Sequence, residues 1–377
     1  VDGVVSSDHC ALGLWASAAL PDDYAIVAMR VIYLTRPTTD PGVAVLVHDA
    51  AAALARIADV YAYGPGSPGY DPKDTIENVV NKARPVLGGA PHWIIAGHTW
   101  LSDADGTPPA ECPRLELART GGIPVAVVLH NEHAALGPKL DYVRDTGVEV
   151  AFTHHHEAEV FARRTGVPFY FWPAGVNPLR FKPGDGVKTC ELGFLADLER
   201  DFDLARNGMT GQLLRELFKC VCDVPVKQAR PYRALPIAWA VRPADRIGRM
   251  VARLYKQSYE LDEDQRAEFV RRCRILVVPR GRADLINPLI LEGLASKTLV
   301  LAERNPGHRL VFPESSIMEF SSIPEFREQL RGAMIQVEYQ RMVSRAYEDV
   351  HERHIWSARV KQLLGILKNM RRMGEAA

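Results

Sequence analysis

From Met29 onward the chain alternates short apolar runs with longer amphipathic stretches. Val31-Ile32-Tyr33-Leu34, set off by Arg30, is a β-branched apolar run, the pattern of a strand buried on both faces. The same pattern predicts strands over 60–62, 93–96, 125–129 and 148–152. Between them, helical periodicity predicts helices over 48–58, 74–86, 111–120, 136–145 and 156–165. Strands alternating with helices of this length require βαβ crossovers, hence a doubly wound parallel sheet of Rossmann type.

Residues 168–186 break the rhythm. Pro168, Pro173, Pro178 and Pro183, with Gly175, Gly184 and Gly186, suit neither a helix interior nor a sheet centre, and a domain junction is expected there. The alternation then resumes, with strands predicted over 191–195, 275–278 and 299–302 and helices over 210–220, 263–273 and 288–295. The stretch leading to about Asp245 has no readable period. In the tail, Trp356, Val360, Leu363, Leu364 and Leu367 form an apolar stripe at helical spacing. The reading favoured is a last helix packed back on the domains. A minority reading takes Lys361, Lys368, Arg371 and Arg372 as a peripheral contact with an anionic membrane surface.

Composition narrows the classes. With 47% hydrophobic and 24% charged residues, the 377-residue chain can bury two cores. Its 46 basic residues cancel its 46 acidic ones, which argues against nucleic acid as a partner. The six cysteines form no C-x-x-C pair and no zinc spacing, so reduced thiols, no metal and a cytoplasmic setting are expected. No basic segment precedes the mildly apolar Ala11 to Leu20, and no apolar run is long enough to span a membrane, so neither a signal peptide nor a transmembrane helix is expected. Residues 1–28 are left as an extension of unassigned role.

Ligands of open α/β sheets bind beyond the carboxyl ends of the strands, so the residues following each run are the candidates for chemistry. The loop after the first strand, Thr35 to Gly42, lacks G-x-G-x-x-G and does not indicate a dinucleotide. His98 follows one strand, and His130, with Asn131, Glu132 and His133, follows another. A histidine there can bond a sugar hydroxyl or act as acid or base, though a lone one is more often structural. His154, His155 and His156 are consecutive, so their side chains diverge; a surface or helix-start role is expected rather than a metal site. The densest constellation runs from Arg280 to Ser296. Asn287 suits an N-cap and Pro288 the first helical turn, so the preceding loop lies at a helix N-terminus, which favours phosphate. Arg280 and Arg282 add positive charge there. Glu292, one turn into the helix, could accept hydrogen bonds from two adjacent ribose hydroxyls. An ordinary capped helix with surface charges fits the same spacing.

Three segments together resemble glycosyltransferases of the GT-B fold, in particular the retaining family 4 group and CgeB-like (spore-protein-type) enzymes. Pro173-Ala174-Gly175-Val176-Asn177 through Phe181 and Pro183 is similar to the P-x-G-V-(D/N)-x-x-x-F-x-P junction. Asp284 to Glu292 is similar to the E-x7-E motif, with Asp in place of the first Glu. His354-Ile355-Trp356-Ser357-Ala358-Arg359 resembles the closing H-(T/S)-(W/Y)-x-x-R, departing at Ile355. The phosphate motif G-R-x-x-x-x-K-G is not evident after the second domain's first strand, where Arg200 stands, and Ser296-Lys297 replaces the usual Cys-Gly.

The resemblance implies an α/β GT-B architecture: two Rossmann-like doubly wound domains facing a cleft, with a C-terminal amphipathic helix. The expected divisions are an acceptor domain over 29–180, a nucleotide-sugar domain over 181–350 and the helix over 351–377 packing on both. It implies glycosyl transfer from a nucleotide sugar, with retention, without metal and with no cofactor beyond the donor. Glu292 would bind the donor ribose, Asp284 would lie near the sugar or phosphates, and Arg280, Arg282 and Arg200 would stand near the phosphates. His130, and by the strand-end argument His98, would serve the reaction centre. The acceptor, whether glycan, lipid-linked or small molecule, is left open. The alternatives are an epimerase or hydrolase on the same fold, or a non-catalytic nucleotide-sugar-binding protein.

Overall fold

A computed structural model of the chain describes residues 29–36, 41–101, 106, 108, 113–115, 122–132, 134–196, 208–222, 237–241, 262–280, 284–312, 316–333 and 335–376. The extension over 1–28, most of the helix expected over 111–120, His133, Arg200 and Arg282 lie outside the described residues.

The first half builds a six-stranded, all-parallel sheet from β1 (Arg30–Leu34), β2 (Asp59–Tyr63), β3 (Trp93–Ala96), β4 (Val125–Val128), β5 (Val150–Thr153) and β6 (Phe169–Phe171). The strand order is β2-β1-β3-β4-β5-β6, so the winding reverses between β1 and β3. Helices α1 (Pro41–Ile57), α2 (Ile76–Leu87), α3 (Leu136–Thr146) and α4 (Ala158–Thr165) form crossovers. Both faces of the sheet are covered, by a core around Ile32, Ile94 and Val127 on one side and another around Val31, Ile95 and Phe152 on the other. This is why the strands read as continuous apolar runs instead of alternating ones.

The second half repeats the architecture with β7 (Cys190–Ala196), β8 (Ile237–Val241), β9 (Cys273–Val278), β10 (Leu299–Glu303) and β11 (Met318–Phe320), in the order β11-β10-β9-β7-β8. Here the winding reverses between β7 and β9, which places the carboxyl end of β9, with Pro279 and Arg280, at the switch point. Its helices include α5 (Met209–Cys222), α6 (Glu263–Arg272), α7 (Leu289–Ala295), α8 (His308–Val311), α9 (Ile323–Ala333) and α10 (Gln336–Arg353). A reciprocal capping box between Asp262 and Gln265 fixes the start of α6.

The chain crosses between the halves twice, and the two crossings touch. Val176 and Ile355 form a parallel bridge, with Val176 N–H donating to His354 O at 2.9 Å and Trp356 N–H to Val176 O at 3.2 Å. Three positions of the junction motif have a physical reason. A side-chain carbon on Gly175 would come within 2.8 Å of the Trp356 ring, so only glycine admits the tryptophan. Asn177 donates to Asp49 Oδ1 at 2.8 Å, and Phe181 is buried in the second core.

The last helix, α11 (Trp356–Ala376), returns to the first half and packs against α1. All five residues of the tail stripe are buried there beside Ala50, Ala53 and Leu54. At about 1.5–3 kcal/mol for each large apolar side chain, that face is committed to the first-half core rather than open to lipid. Among the described residues, no helix is long and apolar enough to cross a membrane.

Candidate functional site

At the carboxyl ends of β3, β4 and β5, three histidines from three strand ends meet. The His98 and His154 rings stack 5.2 Å apart, and His130 stands edge-on to them at 6.1 and 5.6 Å. Trp172, just past β6, stacks on His154 at 5.8 Å, and Trp356 meets His98 edge-on at 6.2 Å. Gly97 permits the approach of β1 to this end, since a side-chain carbon there would lie 2.5 Å from Tyr33 Oη. That hydroxyl is 3.4 Å from His98 Nδ1.

His98 is only 1% exposed, and burial, reinforced by His154 and His130, holds it well below the usual imidazole range. Burial also lowers His154, against the opposing pull of Glu132. His98 is therefore neutral at neutral pH and enters any chemistry as a hydrogen-bonding group. The Nε2 atoms of His98 and His154 are buried without a protein hydrogen-bond partner among the described residues, a need that a bound hydroxyl would meet.

Glu132 closes the floor of the cluster. Its Oε1 accepts from Thr153 Oγ1 at 2.7 Å and from the His154 N–H at 2.8 Å. Burial pushes this carboxyl up, but His154, the Thr153 hydroxyl and His130 outweigh it and hold it below the usual range. Lys139, fully buried on α3, donates to the carbonyls of His130 and Asn131 at 2.9 Å each. It thereby ties down a turn whose Asn131 and Ala135 both adopt φ of 51°.

The consecutive histidines do not all diverge: His154 turns into the cluster, but the His155 and His156 rings stack 4.6 Å apart. His154 and His155 are buried, which corrects the surface role expected for the run. His154 Nδ1 lies 2.7 Å from Trp172 O, and His155 Nδ1 accepts from the Glu157 N–H ahead of α4. His156 turns to the second half, where its Cβ lies 3.4 Å from the position a side-chain carbon on Gly307 would take. It also feels the charges of Asp284 and Arg280.

In the second half, the structure brings Arg280 and Asp284 together as an ion pair. The Arg280 N–H also donates to Glu303 Oε2 at 3.0 Å. Asp284 sits at φ 59°, in the left-handed region, and Asn305 Nδ2 holds its carbonyl at 2.9 Å. The start of α7 falls one residue later than expected, with Pro288 as the cap residue; the Asn287 side chain still accepts the Leu289 N–H at 3.1 Å. Glu292 is 5% exposed. It is held by Arg266 of α6, whose Nε donates to Oε2 at 2.8 Å while Nη2 bonds Oε1. Burial lowers Arg266 to about 10, so it stays charged at neutral pH.

Arg266, Trp172 and Lys139 were not found by motif reasoning, and Glu132 was named beside His130 without a role. Glu132 had a usable signal, since it lies two residues past a strand-end histidine. Arg266 had none, because it occupies an unremarkable position in a charged helix. Among the described residues, no group of three or more His, Cys, Asp or Glu side chains is arranged to hold a metal ion.

Residues 233–365 match a family model described as glycosyl transferase-like. That stretch contains Arg266, Arg280, Asp284 and Glu292. A search of curated proteins gives no match. Among solved structures, the chain is similar to a sucrose-phosphate synthase from Thermosynechococcus elongatus at 11% identity, with 93% of this chain and 100% of that one covered and a TM-score of 0.55. It is similar to a glycosyltransferase from Rickettsia africae at 10% identity, with 91% and 98% covered and a TM-score of 0.57. It is also similar to HepE from Anabaena in complex with UDP-glucose at 12% identity, with 90% and 100% covered and a TM-score of 0.53. With two all-parallel sheet domains and these neighbours, the chain has the α/β GT-B fold.

Proposed function

We propose that this protein is a glycosyltransferase that takes a sugar from a nucleotide-activated donor and passes it to an acceptor, with retention and without a metal. The observation carrying the reading is the glycosyl transferase-like segment itself. It sets Glu292 one turn into α7, directly after the loop that begins at the switch point of the second sheet. In this reading the Glu292 carboxylate accepts the vicinal hydroxyls of the donor ribose, and Arg280 meets the diphosphate, where negative charge develops as the sugar leaves. Asp284 sets Arg280 in place through their ion pair. UDP and UDP-glucose, bound in the Anabaena neighbour, are the reference ligands for this site.

The histidine cluster is the sugar side of the same reading. His130 and His98 donate or accept hydrogen bonds at the transferred sugar, with Glu132 and Lys139 fixing the strand ends that carry them. With His98 held neutral, the acceptor hydroxyl's proton goes to the departing phosphate oxygen. That oxygen gains basicity as its bond to the anomeric carbon breaks.

A thermal-shift screen against nucleoside diphosphates and nucleotide sugars tests the reading, because a ligand of the folded state raises its apparent stability. One nucleotide series should raise the melting temperature, and Glu292→Ala should abolish that shift. A shift retained undiminished in Glu292→Ala overturns the assignment of the ribose site.

A further inference from the structure

Arg280, assigned above to the diphosphate, comes with its charge already offset. Asp284 pairs with its guanidinium, and the Glu303 carboxylate accepts its backbone N–H at 3.0 Å. The diphosphate of a nucleotide sugar carries two negative charges, so a second cation beside this pair would strengthen binding. His156 faces the pair from the first half. Asn305, 2% exposed, holds the opposing surface in place. Its Nδ2 donates to the carbonyls of Asp284 at 2.9 Å and Leu285 at 3.2 Å, and its Oδ1 accepts the Gly307 N–H at 2.8 Å. Gly307 leaves the space that His156 enters, since a side-chain carbon there would lie 3.4 Å from His156 Cβ and 3.5 Å from Ile286 Cγ1. The first two of the consecutive histidines commit Nδ1 to Trp172 O and to the Glu157 N–H. His156 is half-buried, and its Nδ1 has no hydrogen-bond partner among the described residues. The charged and titratable groups around it are His155, Glu157, Asp284 and Arg280. Burial and the stacked His155 hold the ring below the usual imidazole range, against the pull of Glu157 and Asp284, so it is mostly neutral at neutral pH.

We propose that His156 completes the diphosphate site from the first half: it takes up a proton as the nucleotide sugar binds, and its imidazolium stands with Arg280 against the diphosphate. The proposal rests on the reading of Arg280 as the diphosphate contact. An anion beside the ring raises its pKa, so binding consumes protons, and the added affinity is present below the bound pKa and lost as the pH rises through it. The opposite arrangement is equally definite. A His156 imidazolium already paired with Asp284 in the free protein would be displaced by the donor, and binding would release a proton.

Titration calorimetry on the full chain, in two non-phosphate buffers of different ionisation enthalpy, counts the protons exchanged. The probes are UDP-, GDP- and ADP-glucose, whose phosphates are diesters and do not titrate near neutral pH. With the best-bound probe, wild type should take up a fraction of a proton at about pH 6.5. Its affinity should rise at least about threefold from about pH 8 to about pH 6, as a bound-state shift of about one pKa unit requires. His156→Gln should remove most of both effects while matching the wild-type affinity at about pH 8 within about twofold. His156→Asn repeats the comparison if glutamine disturbs the junction. Arg280→Ala should weaken binding about tenfold or more at every pH. Uptake undiminished in both His156 variants, or no uptake or a release of protons in wild type, overturns the role of His156; a weakened Arg280→Ala then leaves the diphosphate reading standing. Unchanged affinity in Arg280→Ala, or no binding of any probe, overturns that reading and the proposal with it.

Discussion

Lowering the pH should destabilise this protein through its buried histidines before its lowered carboxylates contribute. Burial holds His98 and His354 well below the usual imidazole range, the latter also beside the cations Arg359 and Arg353. Both are almost fully buried, at 1% and 3% exposed. A group whose folded pKa is depressed binds a proton in the unfolded state first, so stability is intact above about pH 6.5 and falls as the pH drops below it. From pH 7.5 to 5.5 each such histidine costs about 1.4 kcal/mol, and the two together about 2.7 kcal/mol. His154 shifts the same way and adds to the loss. Glu263 and Glu303 are raised, chiefly by burial, and oppose it by taking up protons earlier in the folded state. Glu132 and Glu319 are lowered and contribute a further loss, but only once the pH approaches the carboxylate range. The histidines therefore dominate above pH 5.5. With a urea m-value of about 3 kcal/mol/M for a chain of this size, the midpoint should fall by about 1 M between pH 7.5 and 5.5. His98→Phe keeps a ring in the stack and should remove about half of that dependence, and His354→Gln most of the rest. A midpoint independent of pH over this interval, or one that falls equally in wild type and both variants, would refute the reasoning.

Other substitutions test the geometry separately. Gly97→Ala would drive a methyl into the Tyr33 hydroxyl 2.5 Å away and should cost about 1–3 kcal/mol by chemical denaturation. Lys139→Met loses two carbonyl bonds but also the desolvation of a buried ammonium, so stability should change by less than about 2 kcal/mol. The turn carrying His130 loses its anchor, however, and donor turnover should drop at least about tenfold at saturating donor. Trp172→Phe removes the indole bond to Arg359 O at 2.8 Å while keeping a ring in the stack. It should lower the chemical stability by about 1 kcal/mol and leave nucleotide affinity unchanged in calorimetry.

The sheets were legible because both faces of each are buried, and a strand buried on both sides announces itself as an unbroken apolar run. Val31 to Leu34 and Ile275 to Val278 are clear cases. The short β6 and β11 gave no such run, and β8 lies in the stretch whose period could not be read. Glu292 and His130 were visible because strand-end and helix-start positions are fixed by local sequence. The partners of Glu292 and His98 were not. Arg266 is 26 residues from Glu292, and Tyr33 is 65 residues from His98, so only the wound sheet brings either pair together. Separation along the chain also hides His154: the run suggested a surface or a helix start, and Trp172, just past the next strand, stacks on the first of the three rings.

The most direct test of the central claim is donor turnover. The purified protein would be incubated with a panel of nucleotide sugars, with and without candidate acceptors, and nucleoside diphosphate release followed by chromatography. The account predicts release from one nucleotide series, stimulated by an acceptor, and reduced at least about tenfold in Glu292→Ala and in His130→Ala. Release that persists undiminished in both variants, or no release from any donor by a protein that binds one, would contradict it.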